Sequence, residues 1–125
     1  MKRLLLLPII LIASHARAAG PGPAPVVEVP VQETCQEHII ASPRLSARDW
    51  PKKALGREVN AYVVVSYELD GSGTAQNPKV TNSIPAGLFD KTTLSILQRT
   101  DFAVGVQVPS CTYVRTYGAV RRAER

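Results

Sequence analysis

The run Ala61-Tyr62-Val63-Val64-Val65-Ser66-Tyr67-Glu68-Leu69 constrains the fold more than any other part of this 125-residue chain. Ala61, Val63, Val65, Tyr67 and Leu69 share one face of an extended strand, and Tyr62, Val64, Ser66 and Glu68 share the other. The first face is the expected core face. Asp70-Gly71-Ser72-Gly73 follows at once and supplies residues that tolerate positive φ, so a hairpin is expected. Its return strand covers roughly residues 76–82, with Val80 pointing inward and Asn77-Pro78 making its start irregular.

The apolar period then becomes helical. From Leu88 to about Thr100, the residues Phe89, Thr92, Thr93, Ile96, Leu97 and Thr100 form one stripe, while Lys91, Ser95 and Gln98 face elsewhere. Leu94 lies off the stripe. Each threonine on it needs a hydrogen-bond partner once buried. Ahead of the strand, Trp50-Pro51 opens a short helix that Gly56 ends. Proline suits that start because its missing N–H would go unbonded there, and Asp49 sets a carboxylate near the positive helix end. Residues 104–108 read as a connection and residues 111–120 as a last strand. The expected architecture is α+β: a two-layer domain with a small antiparallel sheet of about three strands, packed by one main helix and preceded by a short helix.

The N-terminus reads as an export signal over residues 1–18. Lys2 and Arg3 are its positive end, Leu4 to Ala13 its apolar run, and Ala16-Arg17-Ala18 a small-x-small cleavage site before Ala19. A helix over that apolar run would span about 15 Å, roughly half a hydrocarbon core, and Pro8 interrupts it. Cleavage near Ala18/Ala19 is therefore expected, leaving no stable membrane span; an uncleaved anchor is the alternative. Loss of Lys2, Arg3 and Arg17 lowers the net charge from +5 to +2. That is too mild for a nucleic-acid partner, and the remaining Lys and Arg look scattered along the sequence. Residues 19–48 read as a Pro-rich linker and tethered segment, residues 49–121 as the domain, and residues 122–125 as a basic tail. The alternating valines of residues 26–31 could extend and pair with a sheet edge.

Cys35 and Cys111 are the only cysteines. In an oxidising compartment an even pair reads as a disulfide, with two free thiols as the alternative. No zinc site is expected, since such a site wants about four ligands and His38 is the only histidine beyond the signal. No catalytic constellation survives either. His38 has Glu37 beside it, but no motif places a serine or cysteine nucleophile, and no helix follows Gly71-Ser72-Gly73 to make a phosphate cradle. The chain is expected to be no enzyme and to carry no cofactor and no metal.

Taken in order, Trp50-Pro51, the apolar strand, the Asp70-Gly71 turn, Phe89-Asp90 at the helix start and Phe102 beyond its end resemble the C-terminal domain of TonB-family proteins. The resemblance covers residues 50–102 well and the last strand loosely. Ala61 stands where a glycine is usual, and Thr100 where an aromatic is usual. The long spacer and membrane helix of energy transducers are missing, so force transduction is not carried over. The resemblance implies a binding mode: a partner's extended segment added as a strand beside the last strand of the sheet. An exposed rim offers unpaired N–H and C=O groups that a visiting strand satisfies. The residues so implicated are Thr112, Tyr113, Val114, Arg115, Thr116 and Tyr117, among which Tyr and Arg are favoured interface anchors. Tyr113 and Tyr117 could instead complete the core. A Cys35–Cys111 bridge would place the preceding segment where it could cover that rim.

The functional expectation is a periplasmic interaction module that binds another envelope protein, for example an outer-membrane receptor segment, linked to transmembrane transport. The alternative is a structural or assembly component of an envelope or secretion complex, with a TolA-like domain and no energy transduction.

Overall fold

The computed structural model describes residues 26–122. The expected signal peptide over residues 1–18, residues 19–25 of the expected linker and residues 123–125 of the expected basic tail lie outside the described residues. The described chain runs β1 (Val27–Val29), β2 (Ile39–Ala41), β3 (Ala61–Asp70), β4 (Ala75–Ile84), α1 (Asp90–Gln98), β5 (Asp101–Phe102), β6 (Gln107–Tyr117) and β7 (Val120–Arg122). Single 3₁₀ turns cover Gln36–His38 and Lys52–Ala54.

The main sheet is antiparallel, in the order β4-β3-β6. Strand β3 sits in the middle, as its two-sided apolar content requires. Its Ala61, Val63, Val65, Tyr67 and Leu69 are buried under α1, together with Phe89, Ile96, Leu97, Phe102, Tyr113 and Tyr117. This is the expected α+β two-layer body, with its core on the expected face. The threonines of the helical stripe are satisfied. Thr93 Oγ1 donates to the Phe89 carbonyl and lies 2.8 Å from the Tyr117 hydroxyl, and Thr100 Oγ1 donates to the Ile96 carbonyl.

The other face of the sheet is also covered in part. Val27 and Val29 of β1 pack with Tyr62, Val64 and Val114, and Val120 joins them from β7. Strands β1 and β7 pair in parallel, Val27 opposite Val120 and Val29 opposite Arg122. The chain thus starts on one face of the sheet at Val29 and reaches the other face at Cys35, which belongs to the helix-side core. The crossing passes around the outer rim of β6.

The last strand differs from its expected bounds. It begins at Gln107 and stops at Tyr117, after which Gly118 (φ +76°) turns the chain away. A Cβ on Gly118 would collide with the Val59 carbonyl oxygen and come within 2.6 Å of Asn60 Oδ1, so the close approach of another segment imposes this break. Asn60 Oδ1 accepts the next N–H, from Ala119, at 2.9 Å.

Candidate interaction surface

The rim of β6 is built by the ladder on its inner side. Cys111, Tyr113, Arg115 and Tyr117 stand opposite Tyr67, Val65, Val63 and Ala61 of β3 without a slip. Thr112 N–H donates to Thr34 Oγ1 and Thr34 N–H donates to the Thr112 carbonyl, both at 2.9 Å, so the main-chain groups of Thr112 point outward. In an antiparallel ladder this orientation alternates, which turns the N–H and C=O of Val114 and Thr116 outward as well. Among the described residues, β6 has a ladder partner only in β3. Its rim is therefore clipped by Thr34 at Thr112 and has no strand beside Val114 and Thr116.

The clip is covalently secured. Cys35 and Cys111 form a disulfide with their Cα atoms 5.8 Å apart, so residue 34 cannot drift far from residue 112. Its closed loop, with a sequence separation of 76, stabilises the fold by about 4–5 kcal/mol in the chain-entropy account. Neither sulfur is free, so a reactive thiolate at Cys35 is excluded. His38 Nε2 lies 3.3 Å from Glu37 Oε1 on the surface. No group of three or more His, Cys, Asp or Glu among the described residues could hold a metal ion.

The side chains of β6 divide by face. Tyr113 and Tyr117 are buried in the helix-side core, which leaves their hydroxyls little reach towards a visiting strand. Burial pushes both phenols up in pKa, against the opposing pull of Arg115 on each. Tyr67 is pushed further up by burial, and Glu33 and Glu37 add to the effect. Arg115 is half-buried on the same side, while Thr112, Val114 and Thr116 face the β1 side, Val114 fully buried there.

The remaining motif residues support this frame. Trp50 meets Phe89 and Tyr117 edge-on at 5.2 and 5.8 Å between ring centres, and Phe89 stacks on Tyr117 at 4.0 Å. Phe102 packs against Tyr67 at 5.4 Å. Asp49 ties the segment before Pro51 to α1: its carboxylate accepts from the Ser46 N–H and pairs with Arg99 at 2.8 Å, and its carbonyl accepts from Thr92. The Ser46 N–H bond first, then the Ser46 hydroxyl and Arg99, hold the Asp49 carboxyl below its ordinary pKa. Asp70 caps the hairpin turn by accepting the Ser72 N–H, and the Ser72 hydroxyl first and that N–H second lower its pKa too. Gly71 (φ +93°) supplies the turn, and the Phe102 N–H reaches back to the Gly73 carbonyl at 2.8 Å. Asp90 opens α1, with Oδ1 buried and unpartnered among the described residues.

Sequence reasoning missed Thr34 and Gly118. Both act through residues far along the chain, and the only advance signal was the valine alternation near β1.

A sheet with one open-ended rim, one packing helix and an aromatic wedge defines an edge-presenting α+β module. The family model of the Gram-negative bacterial TonB protein C-terminal matches residues 46–116, more than half of the chain. The protein belongs to that family. No curated protein matches the chain significantly.

Proposed function

We propose that this protein is a periplasmic interaction module that binds an extended segment of another envelope protein by adding it as a strand along β6. The observation that carries the proposal is the outer side of Val114 and Thr116, where two N–H and two C=O groups face outward beside no strand of the described chain. A visiting strand satisfies them at little cost in order, because β3 already holds β6 straight. Specificity cannot come from Tyr113 and Tyr117, which are committed to the core; it falls to Arg115, Thr116 and the segment crossing the rim. An outer-membrane receptor segment is the partner class that the family resemblance implies, and a link to transmembrane transport follows from it. Among the described residues no helix is long and apolar enough to cross a membrane.

The Thr34 clip favours a second reading. With Thr112 taken, the open rim is short, as suits a fixed component of an envelope or secretion assembly that makes one permanent contact.

In-cell photo-crosslinking separates these readings. A crosslinker at Thr116 is expected to capture one defined envelope protein, and a crosslinker at Lys79 on β4 is not. Introducing Val114→Pro, which removes one outward N–H, should erase the Thr116 adduct while the protein remains folded by circular dichroism. Adducts that persist in the Val114→Pro background contradict strand addition. Co-purification of the same partner in stoichiometric amount without irradiation selects the assembly reading.

A further inference from the structure

At the end of the sheet where β3 begins and β4 ends, a cleft of about 870 Å³ opens between the 3₁₀ turn at residues 52–54 and the start of α1. Pro51, Val59, Pro85 and Leu88 give it apolar walls. Lys52, Lys53, Arg57 and Lys91 also line it, and Glu58 is its single acidic residue. None of the four cations lies within ion-pair distance of a carboxylate among the described residues, where Arg99 pairs with Asp49 and His38 lies beside Glu37. The charge concentration is large for this molecule. Residues 26–122 contain eleven Lys and Arg against nine Asp and Glu, a net of +2, whereas the cleft alone carries +3. Lys52, Lys53 and Arg57 are near one another in sequence, and the fold brings Lys91 to them.

Like charges held around one cleft repel one another, and an anionic ligand relieves that repulsion while gaining attraction from each cation. The recessed apolar wall narrows the class of ligand. A planar bilayer meets the lysine rim but cannot enter to contact Val59 and Leu88. A peptide can do both, with carboxylates at the rim and an apolar side chain in the cleft. We propose that this cleft is a second docking site, distinct from the β6 rim, for an acidic peptide segment that also carries apolar side chains.

The test uses a fluorescein-labelled synthetic peptide of alternating Glu and Leu, its Lys–Leu counterpart, and phosphatidylglycerol vesicles as separate probes. The Glu–Leu peptide is expected to raise its anisotropy on binding, with affinity falling as salt rises. Its amide-shift perturbations should centre on Val59, Leu88 and Lys91. Lys53→Gln combined with Lys91→Gln should weaken binding by roughly fivefold for each cation removed, with the thermal midpoint unchanged. Equal binding of the Lys–Leu peptide, perturbations centred on Val114 and Thr116, or vesicle binding without peptide binding would each overturn the proposal. Failure here leaves strand addition along β6 untouched, and perturbations centred on Val114 and Thr116 would report that addition in place of binding in the cleft.

Discussion

The sheet has two outer rims, and they are protected in opposite ways. The β4 rim is blunted by its own sequence: Asn77 adopts φ +49°, Pro78 follows, and pairing with β3 slips twice, between Val64 and Val65 and between Ser66 and Glu68. Irregularity, proline and an exposed Lys79 make a poor template for another strand. The β6 rim is regular from Cys111 to Tyr117, and its protection comes from elsewhere, through one residue of a distant segment. Protection written into a strand is permanent, whereas protection by a contact can be removed. That difference, with Val114 and Thr116 beside no strand of the described chain, is why β6 is the rim we propose for a partner.

Perturbing the two rims in turn tests this contrast. The largest effect is expected from Cys35→Ala combined with Cys111→Ala, which should cost about 4–5 kcal/mol in denaturant unfolding. It should also release the Thr34 clip, so amide exchange at Thr112 should speed up while β4 amides keep their relative order. Next is Gly118→Ala. The added Cβ meets the Val59 carbonyl, and a positive φ is strained for alanine, so a loss of about 2–3 kcal/mol is expected in urea unfolding. A milder change, Thr34→Val, removes the acceptor for the Thr112 N–H and should cost about 1 kcal/mol, freeing that N–H while the Thr112 carbonyl stays bonded to the residue-34 N–H.

Acid titration probes a contact that lies on neither rim. The folded Asp49 pKa is below its ordinary value of 3.8, so its contribution is present above that pH and is lost as pH falls through the lowered folded value. Asp49→Asn should therefore flatten part of the acid limb of the urea midpoint against pH, by a small amount because water reaches the half-exposed Arg99 and screens the pair. Smallest of all, Lys79→Glu on β4 should shift stability by less than about 0.5 kcal/mol and leave partner crosslinking from Thr116 intact. Loss of crosslinking in that variant would break the distinction between the rims.

What could be read in advance was whatever local pattern decides. The alternation of β3, the Asp70-Gly71 turn, the irregularity at Asn77-Pro78 and the stripe from Phe89 to Thr100 depend on neighbours a few residues away, and all of them appear in the fold. The disulfide was legible from the even cysteine count once an oxidising compartment was expected. Thr34 was not, because an exposed threonine 78 positions from its partner carries no periodic mark. Gly118 fits a strand alternation well, and only the approach of Val59 shows why the strand must stop there. Tyr113 and Tyr117 suited either core or interface by residue type, and the helix above them decided for the core. The cleft cations escaped notice for a similar reason: Lys91 lies far from Lys52 and Lys53 in the chain and comes near them only when α1 packs.

The proposal depends on the outward groups of Val114 and Thr116, which have no bonding partner among the described residues. Residue-resolved amide hydrogen exchange tests it directly. The account predicts an alternation, with Tyr113 and Arg115 protected by β3 and Val114 and Thr116 exchanging much faster. Equal, strong protection along residues 113–116 would mean that the rim is already filled, and would contradict the account.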